Sequence, residues 1–254
     1  MCGRYALSRS DDDLVELLDV GEVVGDPLRP SWNVAPTQRA RAVLQRAPRE
    51  DAGAGGAAGG GGGAPARQLR TLRWGLVPAW AKDVKIGSRM INARVETVTE
   101  KPAYRRAASR RRLLVPADGY YEWQQREGRS KVPHFLHDPD GRVLTFAGLY
   151  ELWPDPAKAE DDPERWLWTF TVITTSASDA LGHIHDRTPL VVPPDVREDW
   201  LDPELTDLDL VRQVLDAVPE PRLVPREVST AVNSPRNDGP ELAEPVEPGG
   251  DDPA

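Results

Sequence analysis

The feature that most constrains the fold of this chain is a series of short runs rich in β-branched and aromatic residues. They are CGRYAL, RAVLQ, LRTLRWGLV, RLLVPA, GYYEWQQ, HFLHD, RVLTFAGLY, WLWTFTVITT, PLVV and PRLVPREV, and turn-forming residues separate them. Helical patterns are fewer and occur in SDDDLVELLDV, TEKPAYRRAASR and LTDLDLVRQVLDAV. We therefore predict an α+β fold: a β-rich single domain with a curved or barrel-like, mainly antiparallel sheet and flanking helices.

The composition along the chain predicts the domain organisation. At 254 residues the chain has the length of one ordinary domain, to which we assign residues 1–237. Residues 51–66, DAGAGGAAGGGGGAPA, are almost pure Gly and Ala and too poor in apolar side chains to join a core. Because strand-like segments flank this stretch on both sides, we interpret it as an inserted loop. Residues 238–254 are expected to form an acidic disordered tail.

Charge is unevenly distributed along the chain. The formal net charge is −9, which taken alone argues against a nucleic-acid partner. Residues 238–254 hold six carboxylates and no base, so the remainder of the chain carries −3. Residues 101–112, KPAYRRAASRRR, hold six basic residues and no acid. This segregation can leave one face of the domain positive, which keeps nucleic acid among the candidate partners.

The hydropathy pattern and the cysteine content bear on location and cofactors. No stretch approaches about 18 consecutive apolar residues, and the chain does not start with a signal-peptide pattern. We expect a cytoplasmic monomer without a membrane partner. One cysteine excludes an internal disulfide and a cysteine-based zinc site. His183 and His185 form an HxH pair without a third ligand nearby, so we expect neither a metal nor an organic cofactor.

The one cysteine, Cys2, directly follows Met1. A lone cysteine is commonly a small buried apolar residue, and that interpretation stays open. A small side chain at position 2 generally permits removal of the initiator, which would give Cys2 a free α-amino group beside its thiol. An α-amine titrates near ~7.7–8.0 and a thiol near ~8.5, so both nucleophiles are partly available at neutral pH. Because nitrogen and sulfur stand two carbons apart, they can add to one aldehyde carbon and close a thiazolidine ring by way of a Schiff base.

Three further residues have the chemistry of an active site. Asn92 lies in INAR, Glu122 lies among aromatic residues in GYYEW, and His185 lies in IHDR. A carboxylate in aromatic surroundings tends to have a raised pKa and can shuttle protons, and a histidine can donate or accept a proton near neutral pH. Structural interpretations stay open: a polar strand edge for Asn92 and an outward-facing side chain for Glu122.

Arginine and tryptophan residues near these positions indicate a nucleic-acid interface. Arg4, Arg94 and Arg187 lie beside the candidate catalytic positions, and WGLVPAWAKD supplies Trp74 and Trp80. Aromatic rings stack on unpaired bases while basic side chains hold the backbone, which is how many single strands are bound. The competing interpretation is that tryptophans pack the core. We adopt it for three others: Trp153, Trp166 and Trp168.

Taken together, these segments resemble a known family. MCGRY, SWNVAPTQ, RWGLVPAWAKD, INARVET, PADGYYEW, FAGLYELW, IHDRTPLVV and VNSPRNDGPEL follow one another as in the SOS-response-associated peptidase family, also described as abasic-site processing proteins. The resemblance spans nearly the whole chain. It implies a β-rich α+β domain whose N-terminal cysteine crosslinks to the ring-opened aldehyde of an abasic site in single-stranded DNA, without a cofactor.

The resemblance also implies roles for individual residues. Cys2 matches the nucleophile of the family, and Asn92 matches the asparagine that orients it. Glu122 matches the glutamate that moves protons, and His185 matches the histidine that assists the Schiff-base chemistry.

The resemblance further implies that phosphates around the lesion are held by Arg4, Arg94 and Arg187. Weak lyase activity is expected, because β-elimination from the Schiff base would cut the strand. Two alternatives stay open. One is a cysteine-type peptidase that cleaves its own Met1–Cys2 bond, and the other is a non-catalytic module that binds single-stranded DNA.

Overall fold

The computed structural model of the protein describes residues 2–46, 66–126, 131–177 and 182–246. Met1, most of the predicted inserted loop and the end of the predicted tail lie outside this part of the chain. The segments that flank the insert, Arg39–Arg46 and Ala66–Trp74, are strands that pair in antiparallel register. The prediction of flanking strands is therefore confirmed, although Ala66 belongs to a strand and not to the loop.

Strands and helices are mixed along the chain. The strands are β1 (Tyr5–Leu7), β2 (Glu22–Val24), β3 (Ser31–Val34), β4 (Arg39–Arg46), β5 (Ala66–Trp74), β6 (Asn92–Arg94), β7 (Arg112–Ala117), β8 (Gly119–Gln124), β9 (Val132–His137), β10 (Leu144–Pro154), β11 (Trp166–Ser176), β12 (Arg187–Pro189) and β13 (Val224–Glu227). The helices are α1 (Asp11–Leu17), α2 (Pro102–Arg110), α3 (Arg197–Leu201) and α4 (Leu208–Ala217). Short 3₁₀ turns occur at Val84–Arg89, Val95–Thr97, Pro194–Val196, Thr230–Asn233 and Pro240–Ala243.

The three predicted helices are confirmed as α1, α2 and α4, whereas the sequence did not predict α3. Ser10 caps α1, because its side chain accepts a hydrogen bond from the Asp13 backbone N–H while the Asp13 carboxylate accepts one from the Ser10 backbone. In the ranges that the structure describes, no helix is long and apolar enough to cross a membrane.

Five strands close into a barrel. β11 pairs with β10, β10 with β7, β7 with β4 and β4 with β5, all in antiparallel orientation. The ring closes where β5 runs parallel to β11, with Arg73 opposite Thr169 and Trp74 opposite Phe170. β2 extends the sheet beyond β5, and β6 and β12 both pair with β11. The predicted barrel-like, mainly antiparallel sheet is therefore confirmed.

A second antiparallel sheet, in the order β13-β9-β8-β1-β3, packs on the barrel. Tyr5 of β1 contacts Trp74 and Phe146 with ring centroids 5.2 and 6.2 Å apart, and Tyr120 of β8 contacts Phe146 at 5.9 Å. Successive residues of a strand point to opposite faces, so Tyr121 lies on the far side of this sheet. There it joins a smaller apolar cluster formed by Ala6, Phe135, Val228, Val232 and Leu242.

The C-terminal segment is held against the second sheet by Asn33 and Arg4. Asn33 is 2% exposed, and its Nδ2 donates to the Asn237 carbonyl at 2.7 Å. Its Oδ1 accepts a 2.6 Å hydrogen bond from Arg4 Nη1, which also donates to the Val232 carbonyl at 2.9 Å. The bonds from Asn33 to Asn237 and from Arg4 to Val232 join residues 204 and 228 positions apart.

The start of the predicted tail is also packed on the domain. Asp238 accepts a 2.7 Å hydrogen bond from the Trp32 backbone N–H, and Leu242 is 1% exposed. Pro245 forms an isolated bridge with Val228. The prediction of a disordered tail from residue 238 onward is therefore wrong for residues 238–246, where a buried leucine and backbone hydrogen bonds fix the chain.

Arg112, at the start of β7, connects the helices to the barrel. It is 4% exposed and donates to the carbonyls of Ala108, Ser109 and Trp200 at 2.8, 2.9 and 2.7 Å, and to that of Asp202. These acceptors lie at the ends of α2 and α3, where helical carbonyls lack intrahelical partners. Burial lowers the pKa of Arg112 to about 10, so the side chain stays charged at neutral pH.

Candidate active site

Cys2 and Asn92 meet at the seam between the second sheet and the barrel. Cys2 precedes β1 and is 0% exposed. Asn92 begins β6, beside β11 of the barrel, and its Nδ2 donates a 2.7 Å hydrogen bond to the Cys2 carbonyl oxygen. The fold thus brings together two predicted site residues that are 90 positions apart in the sequence.

Backbone contacts position Asn92. The loop before it is held to the end of β5, because Gly75 has a φ of +115° and a Cβ there would lie 2.5 Å from the Gly87 carbonyl oxygen. Tyr104 of α2 donates from Oη to the Asn92 carbonyl at 3.3 Å. The Asn92 side-chain Oδ1 is buried and has no hydrogen-bond partner among the described residues. It is therefore an available acceptor next to Cys2.

Glu122 lies in β8, between β1 and β9 in the second sheet. It is 3% exposed, and burial raises its pKa from 4.5 to about 7. The direction predicted from the aromatic surroundings is confirmed. Alternation along β8 places Tyr120 and Glu122 on the face toward the barrel, while Tyr121 and Trp123 occupy the other face. A carboxylate with this pKa exchanges its proton near neutral pH.

The Cys2 thiol lies in the field of Glu122. Burial raises the pKa of the thiol well above its usual value, and the negative charge of Glu122 raises it further. A hydrogen bond from the Arg4 backbone acts in the opposite direction. The thiol is therefore protonated at neutral pH and needs a base before it can act as a nucleophile.

The segment that carries His185 runs along the same face of β8 as Glu122. Tyr120 Oη and Thr188 Oγ1 form a 2.8 Å hydrogen bond, and Gln124 Nε2 donates to the His183 carbonyl at 3.2 Å. These two bonds lie on either side of Glu122 in β8. They place the segment around His185 next to the buried carboxylate.

His185 has two contacts that require different protonation states. Its Nδ1 lies 3.0 Å from the Arg187 backbone nitrogen, which donates to it, and 2.9 Å from Asp186 Oδ1, to which only a protonated Nδ1 could donate. Burial lowers the pKa of His185, which favours the neutral ring. In that form Nδ1 accepts from Arg187 and Nε2 carries the proton, so His185 is a hydrogen-bond donor.

Arg187 is committed to an ion pair. Its side chain is 13% exposed and donates to Glu96 Oε1 and Oε2 at 2.6 and 3.0 Å, and to the Thr174 carbonyl at 2.5 Å. The hydrogen bond from Arg187 lowers the pKa of the Glu96 carboxyl. A phosphate that reaches Arg187 must therefore compete with a bidentate carboxylate.

The other two predicted arginines differ from each other in accessibility. Arg4 is half-buried and donates to Asn33 and to the Val232 carbonyl, so part of its guanidinium serves the fold. Arg94 follows Asn92 by two positions and is exposed. Of the three predicted phosphate ligands, Arg94 is the one most accessible to solvent.

The tryptophans divide between core and surface in a way the sequence did not predict. Trp74 is 0% exposed, and its Nε1 donates to the Ile91 carbonyl at 3.0 Å. The prediction that Trp74 stacks on bases is therefore wrong: its ring packs on Phe170 and supports the residue before Asn92. Trp80 is 66% exposed, as a base-stacking residue must be.

The core assignments of the other tryptophans hold in part. Trp153 is 4% exposed, and its Nε1 donates to the Ala81 carbonyl at 2.7 Å, which fixes the loop that carries Trp80. Trp168 is half-buried and stacks on Tyr150. Trp166 is 51% exposed at the start of β11, so its assignment to the core is wrong.

Sequence reasoning missed the residues that support the site through contacts distant in sequence. Tyr104 holds Asn92 through a carbonyl, and Thr188 holds Tyr120 through a hydroxyl. Neither has a local sequence signal, because both act across elements. Within the described ranges, no group of three or more His, Cys, Asp or Glu side chains could hold a metal ion.

A closed barrel covered by a second sheet and flanked by helices places the chain among the β-rich α+β proteins. The model of the family described as SOS response associated peptidase (SRAP) matches residues 1–235. The chain belongs to this family.

Several curated relatives cover almost the whole chain. The protein is 36% identical over 245 residues to the abasic site processing protein YoqW of Bacillus subtilis, covering 96% of this chain and 99% of the relative. It is 29% identical over 251 residues to the abasic site processing protein YedK of Escherichia coli, covering 97% and 100% of the two chains. It is 33% identical over 249 residues to the abasic site processing protein HMCES of Gallus gallus, covering 87% of this chain and 68% of the relative.

A solved structure shows the same fold. A protein from Bacteroides thetaiotaomicron superposes with a TM-score of 0.74 at 21% identity, and the match covers 97% of this chain and 100% of the other.

Proposed function

We propose that the protein captures abasic sites in single-stranded DNA by forming a covalent thiazolidine through Cys2. The observation that carries the proposal is the burial of Cys2 between Asn92 and the raised-pKa carboxylate of Glu122. The relatives named above, which bear the name abasic site processing protein, support the same reaction class. The activity would serve the response to DNA damage.

The chemistry uses both nucleophiles of Cys2 after removal of Met1. The α-amine adds to the C1′ aldehyde of the ring-opened sugar, and the carbinolamine loses water to give a Schiff base. The thiol then adds to the imine carbon, and its proton passes to the nitrogen, which closes the five-membered ring. One water is released for each crosslink.

Glu122 and His185 move the protons in these steps. Because its pKa is about 7, Glu122 is able both to take a proton from the amine or thiol and to give one to the departing hydroxyl. His185, as a neutral ring with Nε2 protonated, donates to an oxygen of the opened sugar. The available Oδ1 of Asn92 accepts from the Cys2 amine and keeps its lone pair directed to the aldehyde.

The DNA strand is held mainly by the exposed groups. Trp80 stacks on a base next to the lesion, and Arg94 contacts phosphate. Arg187 binds phosphate when Glu96 is displaced, and Arg4 contributes the part of its guanidinium that the fold leaves unused. If the Schiff base undergoes β-elimination before ring closure, the strand is cut, which gives a weak lyase activity.

The family description favours one alternative, a cysteine-type peptidase that removes Met1. The raised pKa of the thiol disfavours it, because a peptidase needs a ready thiolate. The third possibility, a module that binds DNA without reacting, needs Arg94 and Trp80 but neither Cys2 nor Glu122. Substitution of Cys2 separates the three.

The test mixes the purified protein with an oligonucleotide that carries one abasic site and resolves the products on a denaturing gel. The wild type should give a heat-stable adduct, Cys2→Ser should give only a Schiff base that borohydride traps, and both should bind the oligonucleotide equally. Glu122→Gln should slow the reaction, while Glu100→Gln, at an exposed position, serves as its control. Mass measurement must first show that Met1 is absent. A stable adduct with Cys2→Ser, or none with the correctly processed wild type, refutes the proposal.

A further inference from the structure

A row of polar side chains crosses the second sheet, starting at Glu122. In the antiparallel pairing of β8 with β9, Glu122 lies directly opposite His134, and in the pairing of β9 with β13, His134 lies directly opposite Glu227. Directly opposed residues share a face, with Cβ atoms about 4.5–5.5 Å apart. The next pair along the same face, Tyr120 and Leu136, is aromatic and aliphatic. The polar row therefore lies beside an apolar pair on the same face.

The row leads from the buried site to solvent. Glu122 is 3% exposed and His134 is 8% exposed, whereas the Glu227 side chain is 40% exposed. Glu227 accepts a 2.7 Å hydrogen bond from Arg126, whose Nε donates to Gln124 at 3.0 Å. Arg126, two positions after the end of β8, thus holds the outer end of the row against that strand.

The proposed reaction releases a proton that this buried site must export. An α-amine titrates near ~7.7–8.0, so the Cys2 nitrogen is largely an ammonium at neutral pH. The ammonium must lose one proton before it attacks the aldehyde. Cys2 is 0% exposed, and Glu122 is the carboxylate whose charge acts on its thiol. Because Glu122 is itself 3% exposed, the group that receives the proton has almost no contact with water.

We propose that His134 relays protons between Glu122 and solvent, with Glu227 as the outer acceptor. It is a positioning residue that acts through Glu122, and the inference rests on the proposed function. The Cys2 ammonium gives its proton to the Glu122 carboxylate, the Glu122 carboxyl gives it to His134 Nε2, and the imidazolium gives it to Glu227, which passes it to water. Each transfer moves one proton, and the complete sequence returns all three groups of the relay to their starting protonation states.

The contacts of His134 suit this role. Its Nδ1 lies 3.1 Å from the Val132 carbonyl, an acceptor, so Nδ1 carries the proton and Nε2 is left to accept one. The charges that act on the ring are those of Glu227, Arg126 and His183, and Glu122 faces it from the adjacent strand. Burial lowers the pKa of His134, so the imidazolium releases its proton readily.

The test compares His134→Gln with His137→Gln. Position 137 lies on the same strand, three residues on, so its side chain occupies the opposite face, where it contacts Arg226. Crosslinking is measured in single turnover from pH 6 to 9 and over a range of imidazole concentrations at fixed ionic strength. We expect His134→Gln to slow the reaction by about 100-fold, at the lower end of the usual range for general acid–base catalysis, and imidazole to restore it. His137→Gln should react like the wild type.

A DNA-binding measurement distinguishes a proton relay through His134 from a purely structural role of that residue. His134→Gln should bind an oligonucleotide with a non-reactive tetrahydrofuran abasic analogue as tightly as the wild type. If His134→Gln fails to fold, Glu227→Gln provides the test, since that side chain is half-exposed; its rate should fall and recover with imidazole. Wild-type rates at all pH values in both variants, or slow rates that imidazole does not raise, would overturn the relay. Absence of adduct with the wild type would instead refute the proposed function, together with the relay that rests on it.

Discussion

The raised pKa of Glu122 predicts that Glu122→Gln makes the protein more stable at alkaline pH. A carboxyl whose pKa rises from 4.5 in the unfolded chain to about 7 in the folded protein binds its proton more tightly when folded. Its contribution to stability is therefore fully present below pH 4.5 and is lost as the pH rises through 7. Glutamine has nearly the same shape and no charge to desolvate, so the unfolding free energy of the variant does not fall through this group as the pH rises.

The magnitude follows from the two pKa values. Between pH 5 and pH 8 the wild type should lose about 2.5 kcal/mol of unfolding free energy through this one group, and Glu122→Gln should lose none of it. With the side chain 3% exposed, solvent screening reduces the figure little. Over the same range the variant should crosslink about 10²–10⁴-fold more slowly, because a general acid–base group has been removed.

Urea unfolding at pH 5, 6, 7 and 8 measures the difference directly, with Glu100→Gln as the exposed control. The free energies of Glu122→Gln and the wild type should diverge with increasing pH, whereas those of Glu100→Gln and the wild type should stay parallel. If the curves of Glu122→Gln and the wild type run parallel from pH 5 to pH 8, the carboxyl does not titrate near 7 in the folded protein. The argument for Glu122 as a proton shuttle would then fail.

Asn92→Ala removes the 2.7 Å hydrogen bond to the Cys2 carbonyl. Thermal melts should show a loss of about 1 kcal/mol of stability, and the adduct yield should show crosslinking reduced by more than ten-fold. Arg112→Met leaves buried carbonyls at the ends of α2 and α3 unpaired and should lower the unfolding free energy by about 3 kcal/mol or more; an unchanged urea midpoint would contradict this. Trp74→Ala should cost about 3–5 kcal/mol of stability, as expected for a core aromatic. Trp80→Ala should leave stability unchanged and weaken single-strand binding by about 1–3 kcal/mol, measured by fluorescence anisotropy.

The sequence predicted those features that depend on local patterns. Alternating β-branched and aromatic residues predicted most strands, and Ser10 followed by acidic residues predicted α1. The parallel pairing of β5 with β11, which closes the barrel, has no local signal, because its partners lie almost 100 positions apart and only the complete ring brings them together. The periodicity therefore predicted curvature but not the way in which the ring closes.

The residues of the candidate site also divide into those with a local sequence signal and those without one. Residue types and neighbours were enough to nominate Cys2 and Glu122 as candidate reacting groups, and the shift in the pKa of Glu122 has the expected direction. The burial of Trp74 and the exposure of Trp80 could not be predicted, because both lie in one short motif at and after the end of β5 and only tertiary contacts distinguish them. The ion pair between Arg187 and Glu96 likewise joins residues that no spacing rule relates.

The hydrogen bonds that join Arg4 and Asn33 to residues 232–237 bear on the order in which this protein matures. Arg4 is made among the first residues, yet one of its hydrogen bonds needs a carbonyl 228 positions later. Asn33 likewise waits for the carbonyl of Asn237. The segment that follows Cys2 therefore reaches these contacts only after residue 237 has been made.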